Sequence, residues 1–274
     1  MDVNIYQIFY DDASRKALDK GFIPLDNSKN ERPDWFEFWP MRQFLHETNL
    51  VEDSWYGFFS PRFALKTGFN ARLIKDFVQS QPQTTEVALF TSTWDFVAYF
   101  QNAFEQGEVW HEGITDVTQK FYDLIDYKID LHNLVNYSGN SVTSNYIVAK
   151  PRFWRRWLYF ADKLFDLCEN NQEFGQVLRA HTTYGPRQVP FKVFIQERLA
   201  SVLLANEDFV TVLPDQSQTG AIFEALFFTD LRTRQLLQTC DVLKGQYCIS
   251  GDMDFLQAYK KLKQLITIKP TKFR

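Results

Sequence analysis

A carboxylate set into an apolar helical face is the first sign of chemistry in this chain. Glu197 lies in Val193-Phe194-Ile195-Gln196-Glu197-Arg198-Leu199, where helical spacing puts it beside Val193, Phe194, Ala200 and Ser201. Such a carboxylate is desolvated unless paired, and desolvation raises its proton affinity toward that of a useful general base. The alternative is a structural ion pair with an arginine. A second cluster, Asn102-Ala103-Phe104-Glu105-Gln106-Gly107-Glu108 followed by Trp110 and His111, gathers carboxylates, an amide and an imidazole at a helix-to-loop junction, with Gly107 expected to end the helix. Glu105 and His111 are the catalytic candidates there, against a solvated helix end. Arg62 and Lys66, in Ser60-Pro61-Arg62-Phe63-Ala64-Leu65-Lys66-Thr67-Gly68, are candidate phosphate-binding cations, against ordinary surface charge. The Asp-x-Asp pattern Asp252-Met253-Asp254 is able to hold a divalent metal, yet it follows Gly251 and opens a helix, where Asp serves as a cap. Asp95, after an expected strand at 86–91, either binds a ligand or starts its own helix. A base and a set of cations are what group transfer from a phosphorylated donor to a hydroxyl needs.

The elements that must position these groups alternate. Residues 3–10 are rich in β-formers at period two and predict a first strand, with further strands at 55–59, 86–91 and 142–149. Between them the spacing predicts a helix opening at Pro33 and kinked or divided by Pro40, and helices at 70–80 (opening on Asn70), 95–106 and 115–126. A long helix follows from Pro151 to about residue 169, then a surface loop at 170–192 and helices at 193–206, 220–239 and 252–264. This order predicts one α/β domain over 1–274, a mostly parallel sheet flanked by helices, with 206–274 a mainly helical extension. Such sheets bind ligands at the carboxyl ends of their strands.

Bulk properties narrow the partners. The 274 residues are 45% hydrophobic and 23% charged, which suits a folded core. A net charge of −4 gives no basic field for a nucleic-acid backbone, so nucleic acid is not an expected partner. Cys168, Cys240 and Cys248 are an odd, scattered set that fits neither a disulfide framework nor a zinc site. With no stretch of about 18 uncharged apolar residues, the expectation is a cytoplasmic chain. The basic-aromatic helix at 151–158 and the lysine-rich tail (Lys260, Lys261, Lys263, Lys269, Lys272, Arg274) offer peripheral contact with the inner face of the cytoplasmic membrane as an alternative to a core-facing helix.

Four segments together resemble a family of small bacterial glycosyltransferase-like proteins encoded with capsule and O-antigen genes. They are Pro24-Leu25-Asp26-Asn27-Ser28-Lys29-Asn30 running on to Pro33-Asp34-Trp35; Trp55-Tyr56-Gly57-Phe58-Phe59-Ser60-Pro61-Arg62-Phe63 with Lys66-Thr67-Gly68; Ser144-Asn145-Tyr146-Ile147-Val148-Ala149-Lys150 with Phe153-Trp154; and Phe194-Ile195-Gln196-Glu197-Arg198-Leu199. The resemblance implies a single Rossmann-like nucleotide-diphospho-sugar transferase (GT-A-like) domain. It implies a nucleotide sugar donor, UDP-linked, and a glycan or lipid-linked glycan acceptor, with a polysaccharide synthase as a further partner. Its site residues carry over to Asn27, Ser28, Asn30, Arg62, Asn145, Glu197 and Arg198. Tyr6, in the strand at 3–10, is expected to line the nucleotide pocket with the segment 26–30. The order is also similar to that of better-annotated transferases with an Asn-Ile-Ser…Lys-Asn segment, a Gly-x-x-His-Tyr-Arg-Arg strand end, an Asn-Met-Phe-Ile strand and a Glu-Arg-Leu helix. This chain departs from them at Ser60-Pro61, where they have His-Tyr, and in lacking a convincing metal motif. A catalytically silent partner of a synthase and a carbohydrate-binding module are the competing readings.

Overall fold

A computed structural model describes residues 2–91, 93–184, 187–215 and 230–267. The period-two stretch at the start is strand β1 (Val3–Phe9), which pairs in parallel with both β2 (Ile23–Asp26) and β3 (Trp55–Phe59). Strand β5 (Ile147–Ala149) then runs antiparallel between β3 and β4 (Val87–Leu89). The hairpin β6 (His181–Tyr184) and β7 (Arg187–Pro190) stands apart, while β8 (Thr211–Val212) adds in parallel to β4. The six-stranded order is β2-β1-β3-β5-β4-β8, a mixed α/β sheet that is mostly parallel. Strands β3, β4 and β5 are buried throughout, which is why they read as continuous apolar runs.

Alternate strand residues feed two cores. Ile8, Phe58, Leu89 and Ile147 face the larger one, against Phe38, Met41, Trp154, Trp157 and Leu203. Ile5, Phe59, Ala88, Phe90 and Val148 face the other, against Phe63, Ala71, Ile74 and Val78. The helices are α1 (Asp12–Lys16), α2 (Phe38–Glu47), α3 (Phe63–Thr67), α4 (Ala71–Gln79), α5 (Trp94–Tyr99), α6 (Ala103–Glu108) and α7 (Ile114–Leu124), followed by α8 (Pro151–Asn170), α9 (Gln172–Arg179), α10 (Phe191–Gln196), α11 (Leu199–Asn206), α12 (Leu231–Ser250) and α13 (Met253–Lys263). Asn70 caps α4 by accepting from the Leu73 N–H at 2.9 Å. The antiparallel pair α12 and α13 packs on α5 through a third cluster that includes Leu237, Cys240, Leu256 and Tyr259. No described helix is long and apolar enough to cross a membrane.

Several expectations are corrected. Pro40 kinks nothing: it sits in the first turn of α2, where an N–H has no acceptor within the helix, and the chain breaks earlier, at Phe36 with φ of 48°. The helix expected at 95–106 is two helices, because Phe100 is extended and Asn102 caps a new start by accepting from the Phe104 and Glu105 N–H groups. Strand β5 occupies only the end of 142–149. The loop expected at 170–192 contains α9 and the β6–β7 hairpin, since Phe174 and Leu178 give the segment a buried face. The helix at 193–206 is divided at Glu197 and Arg198. Of the helix expected at 220–239, residues 220–229 lie outside the described residues, as do Lys269, Lys272 and Arg274.

Candidate active site

The α10–α11 junction places two adjacent charges differently. Both residues keep right-handed helical backbone angles, so their side chains diverge. Arg198 turns inward, 3% exposed, and donates from Nε to the Ala103 carbonyl (2.9 Å), from Nη1 to the Phe194 carbonyl (2.9 Å) and from Nη2 to Gln106 Oε1 (2.7 Å). Burial lowers its pKa to about 10 against the pull of Glu197 and Glu108, so it stays protonated at neutral pH. Gly107 does not end its helix; it lies inside α6, at a position where a Cβ would meet Ile114 Cγ2 at 2.9 Å and Arg198 Nε at 3.2 Å. Arg198 is thus a strut joining α6 to the junction, with three of its donor groups already committed to protein.

Glu197 receives none of that guanidinium. Among the described residues its carboxylate makes no hydrogen bond and no ion pair, and burial pushes its pKa up to about 7. Arg198 and Lys66 act at longer range to lower it, and Glu37 to raise it.

The side chain opens into a cavity of about 290 Å³ shared with Arg62, Lys66, Gln106, His111 and Arg198. Arg62 and Lys66 arrive from the end of β3 and from α3, Thr93 from the end of β4, and Thr143 and Ser144 from the segment before β5. Because β5 runs against its neighbours, that segment meets the carboxyl ends of β3 and β4, where α/β sheets bind ligands. Aromatic side chains complete the wall. His111 is stacked on Phe194 with centroids 3.5 Å apart and planes at 19°, and Phe96 on Trp110 at 5.5 Å and 21°. Arg62 is exposed, and neither Arg62 nor Lys66 pairs with a carboxylate among the described residues. Lys66 Nζ lies 5.8 Å from the centroid of the Tyr146 ring, whose hydroxyl is hydrogen-bonded to Ser60 Oγ at 2.8 Å.

The structure therefore brings together Glu197, His111, Arg62, Lys66 and Arg198. The other candidates lie elsewhere. Glu105 is held by Lys263 Nζ at 2.5 Å and by the Gln101 N–H, tying α6 to α13 rather than facing the cavity. Tyr6 packs on Phe44 and Phe58. Asn27 and Ser28 line a separate cavity of about 410 Å³ with Trp39 and Gln43, and Asn30 stands beside it in a turn with φ of 45°. Asn145 is buried behind the cavity wall and donates from Nδ2 to Gln196 Oε1 at 2.7 Å, while its own Oδ1 has no partner among the described residues. Asp95 is the second residue of α5 and lies in its first turn, as the helix-start alternative has it, and it does not line the cavity. It is 8% exposed, and burial pushes its pKa up to about 6 against the weaker pull of the Phe96 and Asp95 backbone N–H groups at the start of the helix. Asp252 caps α13 by accepting from the Asp254 N–H at 2.9 Å. The sequence assigns no role to Thr143 or Ser144, because the strand expected at 142–149 covers a polar run that stops before β5.

No family model, curated protein or solved structure matches the chain. Among the described residues no three His, Cys, Asp or Glu side chains are grouped as a metal site.

Proposed function

We propose that this chain is a glycosyltransferase of GT-A-like fold that moves a sugar from a nucleotide-diphosphate donor to a hydroxyl of a bacterial surface glycan or its lipid-linked precursor, at the cytoplasmic side of the membrane. One observation carries the reading. A carboxylate with its pKa pushed up to about 7 and without a partner among the described residues opens, at the carboxyl ends of β3 and β4 in a mixed sheet, into a cavity that also holds two cations without carboxylate partners among those residues. In an inverting transfer Glu197 accepts the proton of the acceptor hydroxyl as that oxygen attacks the anomeric carbon. The bond from that carbon to the phosphate oxygen breaks, and the diphosphate departs with its electron pair beside Arg62 and Lys66. The half-buried rings of Phe96 and Trp110 offer flat faces for a sugar or base.

The test is a thermal-shift screen with nucleotide sugars, followed by a transfer assay on any that raise the melting temperature, since a ligand that binds only the folded state stabilises it. Donor-dependent stabilisation with release of the nucleoside diphosphate supports the reading. Stabilisation without turnover points to the silent partner, and stabilisation by glycans but by no nucleotide points to a binding module.

A further inference from the structure

A diphosphate leaving group needs positive charge, and sugar-transfer sites commonly supply it as a divalent ion held by carboxylates. The donor set of this cavity does not fit such an ion. Hard divalent cations take several oxygen ligands, carboxylates foremost, and of the described residues lining the cavity only Glu197 offers a carboxylate. It shares the cavity with Arg62, Lys66 and Arg198, three cations whose field repels a dication and attracts a polyanion. Asp95, the nearest other carboxylate in sequence to the wall residues Thr93 and Phe96, does not line the cavity. Asp252 and Asp254 lie at the start of α13, where Asp252 is occupied as a cap.

The two cations are placed to do the work themselves. Arg198 is committed to Ala103, Phe194 and Gln106, so it contributes charge rather than free donors. Arg62 stands at the N-terminus of α3 and Lys66 one turn further on, on the same face. A guanidinium can grip two phosphate oxygens at once while an ammonium neutralises as a point charge. We infer that Arg62 and Lys66 form a metal-independent diphosphate site. This rests on the sugar-transfer reading for the identity of the ligand but not for the anion chemistry.

The experiment titrates the full chain by calorimetry with inorganic pyrophosphate and with uridine diphosphate, each in EDTA and again in manganese chloride. Both ligands are expected to bind in EDTA, and manganese to leave them binding no more tightly, since it sequesters the free anion in solution and no bridging ion has to be recruited. The double variant Arg62→Gln/Lys66→Gln should weaken both by at least about tenfold while keeping the wild-type melting temperature, the loss expected when charge-assisted contacts are removed. Arg62→Lys should show a smaller loss. Binding that appears only with manganese overturns the inference and leaves the sugar-transfer reading standing. So does undiminished binding by a folded double variant. Pyrophosphate binding in EDTA that the double variant loses, with uridine diphosphate binding no tighter, supports the anion site and removes the nucleotide reading. No binding of either ligand under any condition overturns both.

Discussion

Arg198 follows Glu197 directly in the chain, yet its guanidinium is held by Ala103, Phe194 and Gln106, and the Glu197 carboxylate is left without an ion pair among the described residues. Charge neutralisation between neighbours would have made Glu197 an ordinary low-pKa acid. Its separation from Arg198 is what makes it available as a base.

Glu197→Gln should therefore fold and retain nucleoside diphosphate binding while transfer falls by about two to four orders of magnitude, the range for loss of a general base. Because no buried partner among the described residues is orphaned by the change, the melting temperature should not drop. Turnover and melting temperature measured on the same preparation check both halves, and near-wild-type transfer by a stable variant removes Glu197 from the mechanism.

The pH dependence of stability has a defined sign. Glu197 has a folded pKa of about 7, above its ordinary 4.5, and Asp95 one of about 6, above 3.8. Each carboxyl holds its proton more tightly in the folded protein, so its contribution is complete below the ordinary value and is lost as pH rises through the folded one. Stability should fall between pH 4.5 and about 7, by about 2–3 kcal/mol from Glu197 alone. Urea titrations across this range should show a shallower slope for Glu197→Gln, and a higher stability than wild type at about pH 8. A stability that rises over the same interval with the variant unchanged contradicts the burial of an unpaired acid.

Arg198→Ala should be destabilising rather than a binding defect. It strips partners from two backbone carbonyls and from Gln106, and each buried acceptor left unsatisfied costs about 1–3 kcal/mol, not fully additively. A loss above about 2 kcal/mol in urea unfolding is expected. Wild-type stability with lost diphosphate affinity would instead make Arg198 a ligand-binding residue.

Gly107→Ala inverts the usual helix rule. Alanine inside a helix is normally favoured over glycine by about 1 kcal/mol, but the added methyl at Gly107 would press on Ile114 and on the Arg198 guanidinium. The expected result is a net loss of about 1–3 kcal/mol from overpacking, read as a lower denaturation midpoint. A more stable variant would show that Arg198 has room to move.

Lys244 is fully buried, and its Nζ donates to the carbonyls of Val97 and Phe100 at the end of α5, 2.6 Å from the latter. Lys244→Met keeps the stem and leaves those carbonyls unpaired, so it should cost about 1–3 kcal/mol and loosen α12 and α13 ahead of the sheet. Hydrogen exchange should show α12 and α13 losing protection first, and uniform loss over the chain would contradict this.

Local features were legible in the sequence where the physics is local. The period-two pattern of β1, the apolar runs of β3 and β4, and the caps at Asn70 and Asp252 depend on neighbours within a few residues. So does the divergence of Glu197 from Arg198, which helical backbone angles decide, whereas the cationic and polar setting of the Glu197 carboxylate does not. Tertiary structure decided which groups meet. Arg198 finds its acceptors 95 and 92 residues away, and Glu105, equal to Glu197 as a carboxylate in a helical stretch, is neutralised by Lys263 158 residues further on. Asn27 and Ser28 fall at the end of β2, on the sheet edge, and line a different cavity from the one at β3 and β4. The residue type fixes what a side chain is able to do. Whether it is left free to do so depends on which distant partner the fold brings within hydrogen-bond reach, and that follows from strand order and helix packing.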